Sequence, residues 1–257
     1  MLNNRIFNIL FIVLILVWIM ADHFLQFGSR SYGWLLLIYI TVIFCGSYFI
    51  GLGFFLKSIC SAQTDEKYIA LSFDDGPDAV NSPRILDILK SSHTEVAFFC
   101  IGDKISGNEE LLKRIIREGH LIGNHSYSHH IFFDFWGSRK IRKDIRHMNK
   151  ICRDITGLSP RFFRPPYGVT TPSLKKAVLR EGLIPIGWSI RSFDTVIRKQ
   201  DPLLQKLLKS IKPGAILLLH DTSDITVQIL PFLLEGIQNQ GYRIIRLDKL
   251  INLYPYA

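Results

Sequence analysis

No side chain between Ser31 and Leu56 carries a charge. A run of that length exceeds the roughly 20 apolar residues that carry a helix across a bilayer. A helix is also how a single apolar run satisfies its own backbone in lipid. A second, shorter run, Ile6 to Ala21, is interrupted only by Asn8 and extended by its flanks. A cleaved signal peptide is the competing reading of this first run. Against it, Met20-Ala21-Asp22 is a poor small-x-small cleavage site and another apolar span follows closely. Two transmembrane helices within a membrane anchor, residues 1–57, are therefore predicted, ahead of one anchor behind a cleaved signal or two buried soluble helices. They also explain why the chain is 48% hydrophobic with a mean hydropathy of +0.20, since the excess sits in its first fifth.

From residue 58 to 257 the composition is ordinary, and about 200 residues suffice for one sizeable domain. This part holds 28 of the 31 basic and 21 of the 22 acidic residues, a formal charge of +7. Much of the surplus lies in Arg139-Lys140-Ile141-Arg142-Lys143-Asp144-Ile145-Arg146, followed by Lys150 and Arg153. Ile141, Ile145, Met148, Cys152 and Ile155 recur through it at helical spacing, which predicts an amphipathic helix with a solvated basic face. Contact of that face with membrane lipid headgroups or an acidic glycan is the functional alternative. Nucleic acid is not an expected partner, because no stacking string or recognition motif accompanies the charge. Cys45, Cys60, Cys100 and Cys152 show no C-x-x-C spacing, so free or buried thiols are expected in place of a disulfide framework.

Short apolar runs alternate with amphipathic ones along the domain. Residues 67–73, 94–101, 120–124, 161–164, 183–190, 214–220 and 242–247 read as strands. Residues 82–90, 109–118, 139–156, 172–181, 202–210 and 226–239 read as helices, several opened by a proline near the first turn. Repeated strand-then-helix order predicts an α/β fold with parallel strands inside. About seven such units favour an irregular (β/α) barrel over an open doubly wound sheet. No G-x-G-x-x-G or P-loop string follows a strand, which counts against a nucleotide-binding sheet. Asp74, Asp75, His125, Arg164, Asp194 and His220 all follow strand carboxyl ends, where a barrel gathers its active site.

Two strings among these carry chemistry. His125 and His129 sit four apart, a spacing that lets two imidazoles converge on one ion. Adjacent Asp74 and Asp75 close a buried strand where the chain turns at Gly76-Pro77, so the two carboxylates need not face the same way. One can complete a two-His, one-carboxylate metal site while the other stays free as a base toward water. Taken singly, Asp-Asp-Gly-Pro reads equally well as a solvated turn and the histidines as polar surface. Together in one chain they point to a metal-dependent hydrolase.

From about Ile69 to Leu247 the chain resembles the polysaccharide deacetylase family, carbohydrate esterase family four, with its nodulation-type chitooligosaccharide deacetylase homology domain. Five segments carry the likeness in order. Ser72 to Pro77 resembles the family's first motif, Val96 to Gly102 its second strand, and Gly119 to His129 its histidine motif. Arg164-Pro165-Pro166-Tyr167-Gly168 and Leu217-Leu218-Leu219-His220-Asp221 match two later motifs. A segment between them departs: Arg191-Ser192-Phe193-Asp194-Thr195 stands where the family commonly shows Asp-Ser-x-Asp-Trp. Arg191 thus replaces the first Asp and Thr195 the Trp that in the family packs at the wall of the substrate groove, so the glycan specificity of better-known relatives does not carry over, while the Asp that the resemblance assigns to tuning the acid histidine is retained. His130 replaces a usual proline, and a surface or supporting role is expected for it.

The resemblance implies roles residue by residue. Asp75, His125 and His129 would hold a divalent metal, zinc foremost. Asp74 would be the general base, oriented by Arg164. His220 would protonate the departing amine, kept protonated by Asp194, and a backbone N–H near Tyr167 would stabilise the oxyanion. The implied activity is removal of N-acetyl groups from N-acetylglucosamine-containing glycans, peptidoglycan or chitin-like, by a membrane-anchored enzyme. Deacylation or deformylation of a lipid-linked amino sugar is the alternative that the spans and the basic helix favour. A catalytically silent glycan-binding membrane protein is the alternative from another class, against which the intact Asp74, Asp75, His125, His129 and His220 stand. On topology the signals oppose each other. Arg5, Arg30, Lys57 and Lys67 lean weakly toward a cytoplasmic domain, whereas the glycans such enzymes modify lie outside, and the extracytoplasmic face is the expectation adopted.

Overall fold

A computed structural model describes residues 3–257. It begins with two helices, α1 (Asn4–Leu25) and α2 (Arg30–Tyr48). They run antiparallel, because Phe7 stacks on Tyr39 while the Trp18 indole donates to Ser31 Oγ. Both are long and apolar enough to cross a membrane. Unlike core helices, they leave most large apolar side chains exposed, Leu16 at 57% and Phe44 at 64% among them. After α2, Phe54 and Phe55 pack against Phe7, Phe11 and Leu35, which fastens the hairpin to the rest of the chain.

The remainder runs β1 (Tyr68–Asp74), α3 (Asn81–Ser91), β2 (Ala97–Cys100), α4 (Gly102–Ile105), α5 (Glu109–Arg117) and β3 (Leu121–Asn124). It continues through α6 (Ser138–Thr156), β4 (Phe162–Phe163), α7 (Pro172–Arg180), β5 (Ile184–Pro185) and β6 (Ile190–Arg191). It ends with α8 (Gln200–Ser210), β7 (Ile216–His220), α9 (Asp224–Asn239), β8 (Arg243–Ile244) and α10 (Leu247–Ile251). The strands are parallel throughout, in the order β5-β4-β3-β2-β1-β7-β6, with β8 beside the start of β1. This is the (β/α) half-barrel expected from the alternating pattern.

Strand periodicity divides the core and delivers the site. In β1, Ile69, Leu71 and Phe73 join the large cluster beneath the helices, while Ala70 joins the smaller cluster inside the barrel. Alternation therefore turns Ser72 and Asp74 inward as well. The same rule sends Leu217 and Leu219 of β7 outward and Ile216, Leu218 and His220 inward. The register sets Asp74 opposite His220, Cys100 opposite Asn124, and Asn124 opposite Phe163. Asp75, His125 and Arg164 thus each lie one residue past a strand end, on one rim.

Two strand expectations are corrected. The run 183–190 is not one strand: β5 pairs with β4, β6 pairs with β7, and the bend between them bridges the two edges of the sheet. At the bend the Gly187 N–H donates to Ile59 O, and a Cβ at 187 would stand 2.5 Å from Cys60 Sγ. The amino-terminal arm, not another strand, fills the gap. The run 242–247 shortens to β8 because Leu247 opens α10 and plugs the barrel floor. The basic segment behaves as its spacing predicts: Ile141, Ile145, Met148 and Cys152 of α6 are buried. Arg142 and Arg146 on that helix both pair with Glu181, so part of the basic surplus serves the fold.

Candidate active site

The site begins with a buried cation. Arg164, following β4, is completely buried with its guanidinium 4.0 Å from the centre of the Phe99 ring. It donates to Asp74 Oδ1 at 2.6 Å, to Ser72 Oγ at 2.8 Å and to Gly187 O at 2.9 Å. An uncompensated buried charge costs several kcal/mol, so Arg164 requires the Asp74 carboxylate. In return it holds that carboxylate at the cavity floor with Oδ2 turned toward His125 Nε2, 3.8 Å away.

The next residue faces elsewhere. Asp75 has φ of +74°, a left-handed conformation that reverses its side chain relative to Asp74. Its Oδ1 lies 3.4 Å from His125 Nε2 and 3.3 Å from His129 Nε2. One ligand atom from each of the three lies within 4.8 Å of the others. The His125 Nδ1 stands 2.9 Å from Arg164 O, which fixes the ring with Nε2 inward. The second histidine is placed by its loop, where the His129 N–H donates to Ser126 Oγ and Asp144 accepts from the N–H groups of Tyr127 and Ser128. Left-handed backbone also occurs at Ser126, His129, Tyr167 and Phe193, and strain concentrated at one mouth is characteristic of functional sites.

The electrostatics suit a divalent cation. Burial pushes His129 down to about 4, helped by His125, so it offers a neutral imidazole at ordinary pH. At His125 burial also works against the proton, yet the fields of Asp74 and Asp75 overcome it and raise its pKa. A field that draws a proton onto Nε2 draws a cation there more strongly. Burial opposes ionisation of Asp75, but His125, His129 and His220 hold it well below the usual carboxylate range. Two nitrogens and one oxygen, with the His125 ring anchored through Nδ1, fit a metal that keeps open positions.

Across the cavity, His220 Nδ1 lies 2.7 Å from Asp194 Oδ1. Asp194 is fully buried and also accepts from Ser192 Oγ, Thr226 Oγ1 and the His220 N–H. Burial lowers the proton affinity of His220, but Asp194, then Asp74 and Asp75, more than offset it and the net shift is upward. Burial raises Asp194 and the His220 bond reverses this, leaving it lowered. The raised imidazole stabilises the fold below its ordinary pKa near 6.5 and loses that contribution as pH rises through the folded value. The lowered carboxylate does the converse, contributing above its ordinary pKa and losing this as pH falls. Asp194→Asn removes the largest upward influence and leaves burial opposed only by Asp74 and Asp75, so the alkaline limb of a kcat–pH profile should move to lower pH. An unmoved limb would separate His220 from the titration.

Asp74, Asp75, His125, His129 and His220 line one cavity of about 190 Å³, together with Pro165, Tyr167, Gly168, Trp188, Arg191, Thr195 and Leu218. Arg164 and Asp194 support it from beneath. Tyr167 stands at the mouth, 42% exposed, with its hydroxyl donating to His129 O at 3.1 Å. His130 is exposed, its ring beside Trp136, as expected for a surface position. Sequence reasoning missed Trp188. A Cβ on Gly168, itself at φ +72°, would stand 2.3 Å from that indole, so the glycine is what lets it form a wall. The only advance signal was an aromatic directly after Gly187 inside a presumed strand.

The polysaccharide deacetylase family profile matches residues 61–184. The peptidoglycan-N-acetylglucosamine deacetylase PgdA of Listeria monocytogenes is 34% identical over 195 residues, 76% of this chain and 41% of its own length. A peptidoglycan-N-acetylglucosamine deacetylase of Bacillus cereus is 32% identical over 192 residues, covering 73% of this chain and 89% of the relative. The solved structure of the Bc1960 peptidoglycan N-acetylglucosamine deacetylase superimposes with a TM-score of 0.74 at 28% identity, covering 78% of this chain and 95% of the other. This chain belongs to the polysaccharide deacetylase family. It spans about two-fifths of the Listeria relative and most of the Bacillus one.

Proposed function

We propose that the protein is a metal-dependent hydrolase removing N-acetyl groups from N-acetylglucosamine-containing glycans. The observation that carries this reading is the meeting, in one cavity, of three side chains close enough to share a cation with a carboxylate and an imidazole whose buried partners, Arg164 and Asp194, differ in charge. Asp75, His125 and His129 are the residues that would hold the cation, for which zinc is the candidate. When bound, it would polarise the acyl carbonyl and acidify water. Asp74 takes the proton as the water oxygen bonds to the acyl carbon, and Arg164 holds that carboxylate in place through Oδ1. The C–N bond then breaks, and His220 gives its proton to the departing amine nitrogen, leaving acetate and a free amino sugar. Asp194 raises His220, which suits that imidazole to hold the proton it gives. The backbone N–H of Tyr167 is the proposed oxyanion donor, worth about 3 kcal/mol in such sites.

Residues 1–57 are proposed as the membrane anchor and 58–257 as the catalytic domain, on the extracytoplasmic face where cell-wall glycans lie. An alkaline phosphatase fused after Ala257 is then active, and an inactive fusion with an active cytoplasmic reporter at the same point would reverse the topology. The activity itself is tested by incubating the full chain with peptidoglycan and with chitooligosaccharides and titrating acetate and new amine. Equal release of both supports the reading, and release of neither from any N-acetylated sugar contradicts it.

A further inference from the structure

A second groove adjoins the catalytic cavity. It lies between the end of α2 with the turn that follows, Tyr48 to Leu52, and the segment Trp188 to Phe193. Its volume is about 520 Å³, within the roughly 300–1,000 Å³ of ordinary ligand pockets. Trp188 and Arg191 line both spaces, so the groove continues the cavity. Its walls are apolar and open: Phe49, Leu52 and Phe193 are 53%, 49% and 42% exposed. At the junction the Arg191 guanidinium sits 5.7 Å from the Trp188 ring centre and 5.1 Å from that of Phe193. Lys206 Nζ is 4.0 Å from the Phe193 ring. Neither cation has a carboxylate within ion-pair distance among the described residues.

The groove is also tied to an apolar span. Ser47, in the last turn of α2, donates through Oγ to Thr170 O at 2.7 Å and accepts from the Thr170 N–H at 3.0 Å. This joins the end of that helix to the loop that carries Tyr167. The groove therefore opens where α2 would leave a bilayer. This groove supplies one cation without a carboxylate partner, Arg191, at its inner end and hydrocarbon beyond it, the complement of a phosphate esterified to a long-chain alcohol.

We propose that the groove is a subsite for the lipid phosphate of a lipid-linked amino sugar, with Arg191 on the phosphate and the Tyr48 to Leu52 wall on the first carbons of the lipid chain. This rests on reading the neighbouring cavity as an N-deacetylase site, to which the sugar would be delivered.

The test uses the full chain in detergent micelles with two readouts. Farnesyl phosphate, which carries no sugar, should bind saturably by calorimetry, and Arg191→Gln and Leu52→Glu should each weaken it at least tenfold. In parallel, the ratio of kcat/KM for N-acetylglucosaminyl farnesyl diphosphate to that for chitotriose should fall at least tenfold in Leu52→Glu, whose exposed position leaves the fold intact. Absent binding, equal competition by phosphatidylglycerol, or an unchanged ratio would overturn the subsite. If chitotriose is deacetylated in that case, the enzyme reading survives alone. Farnesyl phosphate binding without turnover of either sugar would support the subsite and refute the deacetylase reading.

Discussion

In the metal-loaded chain, Asp74→Asn lowers turnover of an N-acetylated sugar by about 10²–10⁴-fold, the range for a lost general base, with metal content near that of wild type. Asparagine retains an oxygen for Arg164 but cannot take a proton from water. The substitution also leaves Arg164 buried without its counter-charge, so thermal stability falls too. Turnover is therefore measured per folded molecule. His220→Ala gives a similar loss through the other proton, again without loss of metal, because Asp194 keeps Ser192, Thr226 and the residue 220 N–H as donors. Wild-type turnover in Asp74→Asn would remove the assignment of base.

The second large effect separates binding from proton transfer. His125→Ala and His129→Ala each take one of three ligand atoms from the cluster, and Asp75→Ala takes the only carboxylate in it. All three should lose the bound divalent ion and the activity together, whereas Asp74→Asn and His220→Ala lose activity alone. Elemental analysis of the purified variants distinguishes the two classes. Unchanged zinc in both histidine variants would show that the ion sits elsewhere.

Much of this site is legible in the amino-acid sequence because strand chemistry and site chemistry coincide. Tyr68-Ile69-Ala70-Leu71 is a buried strand, and a period of two decides that Asp74 points inward with Ala70. The loop from His125 to His129 is braced by Ser126 within it and by Asn124 and Asp144 outside it, and the close spacing of the two histidines already anticipated their convergence. What the sequence hid depends on contacts far along the chain. The break at Gly187 arises from Ile59 and Cys60, more than a hundred residues earlier, and the Trp188 wall exists because Gly168 leaves room for it. Nor did the apolar run Ser31 to Leu56 show that it folds as a helix ending at Tyr48, then a short turn that lines a groove together with Arg191. Short-range pattern specified the reacting groups, and long-range packing shaped what surrounds them.

The most direct test of the account follows acetate release and metal content in one preparation of the full-length protein through chelation and reloading. The account predicts that removing about one equivalent of divalent ion abolishes release from an N-acetylglucosamine glycan, and that zinc restores both in step. Acetate release that persists in metal-free protein, or a fully loaded protein that releases none from any N-acetylated sugar, would contradict it.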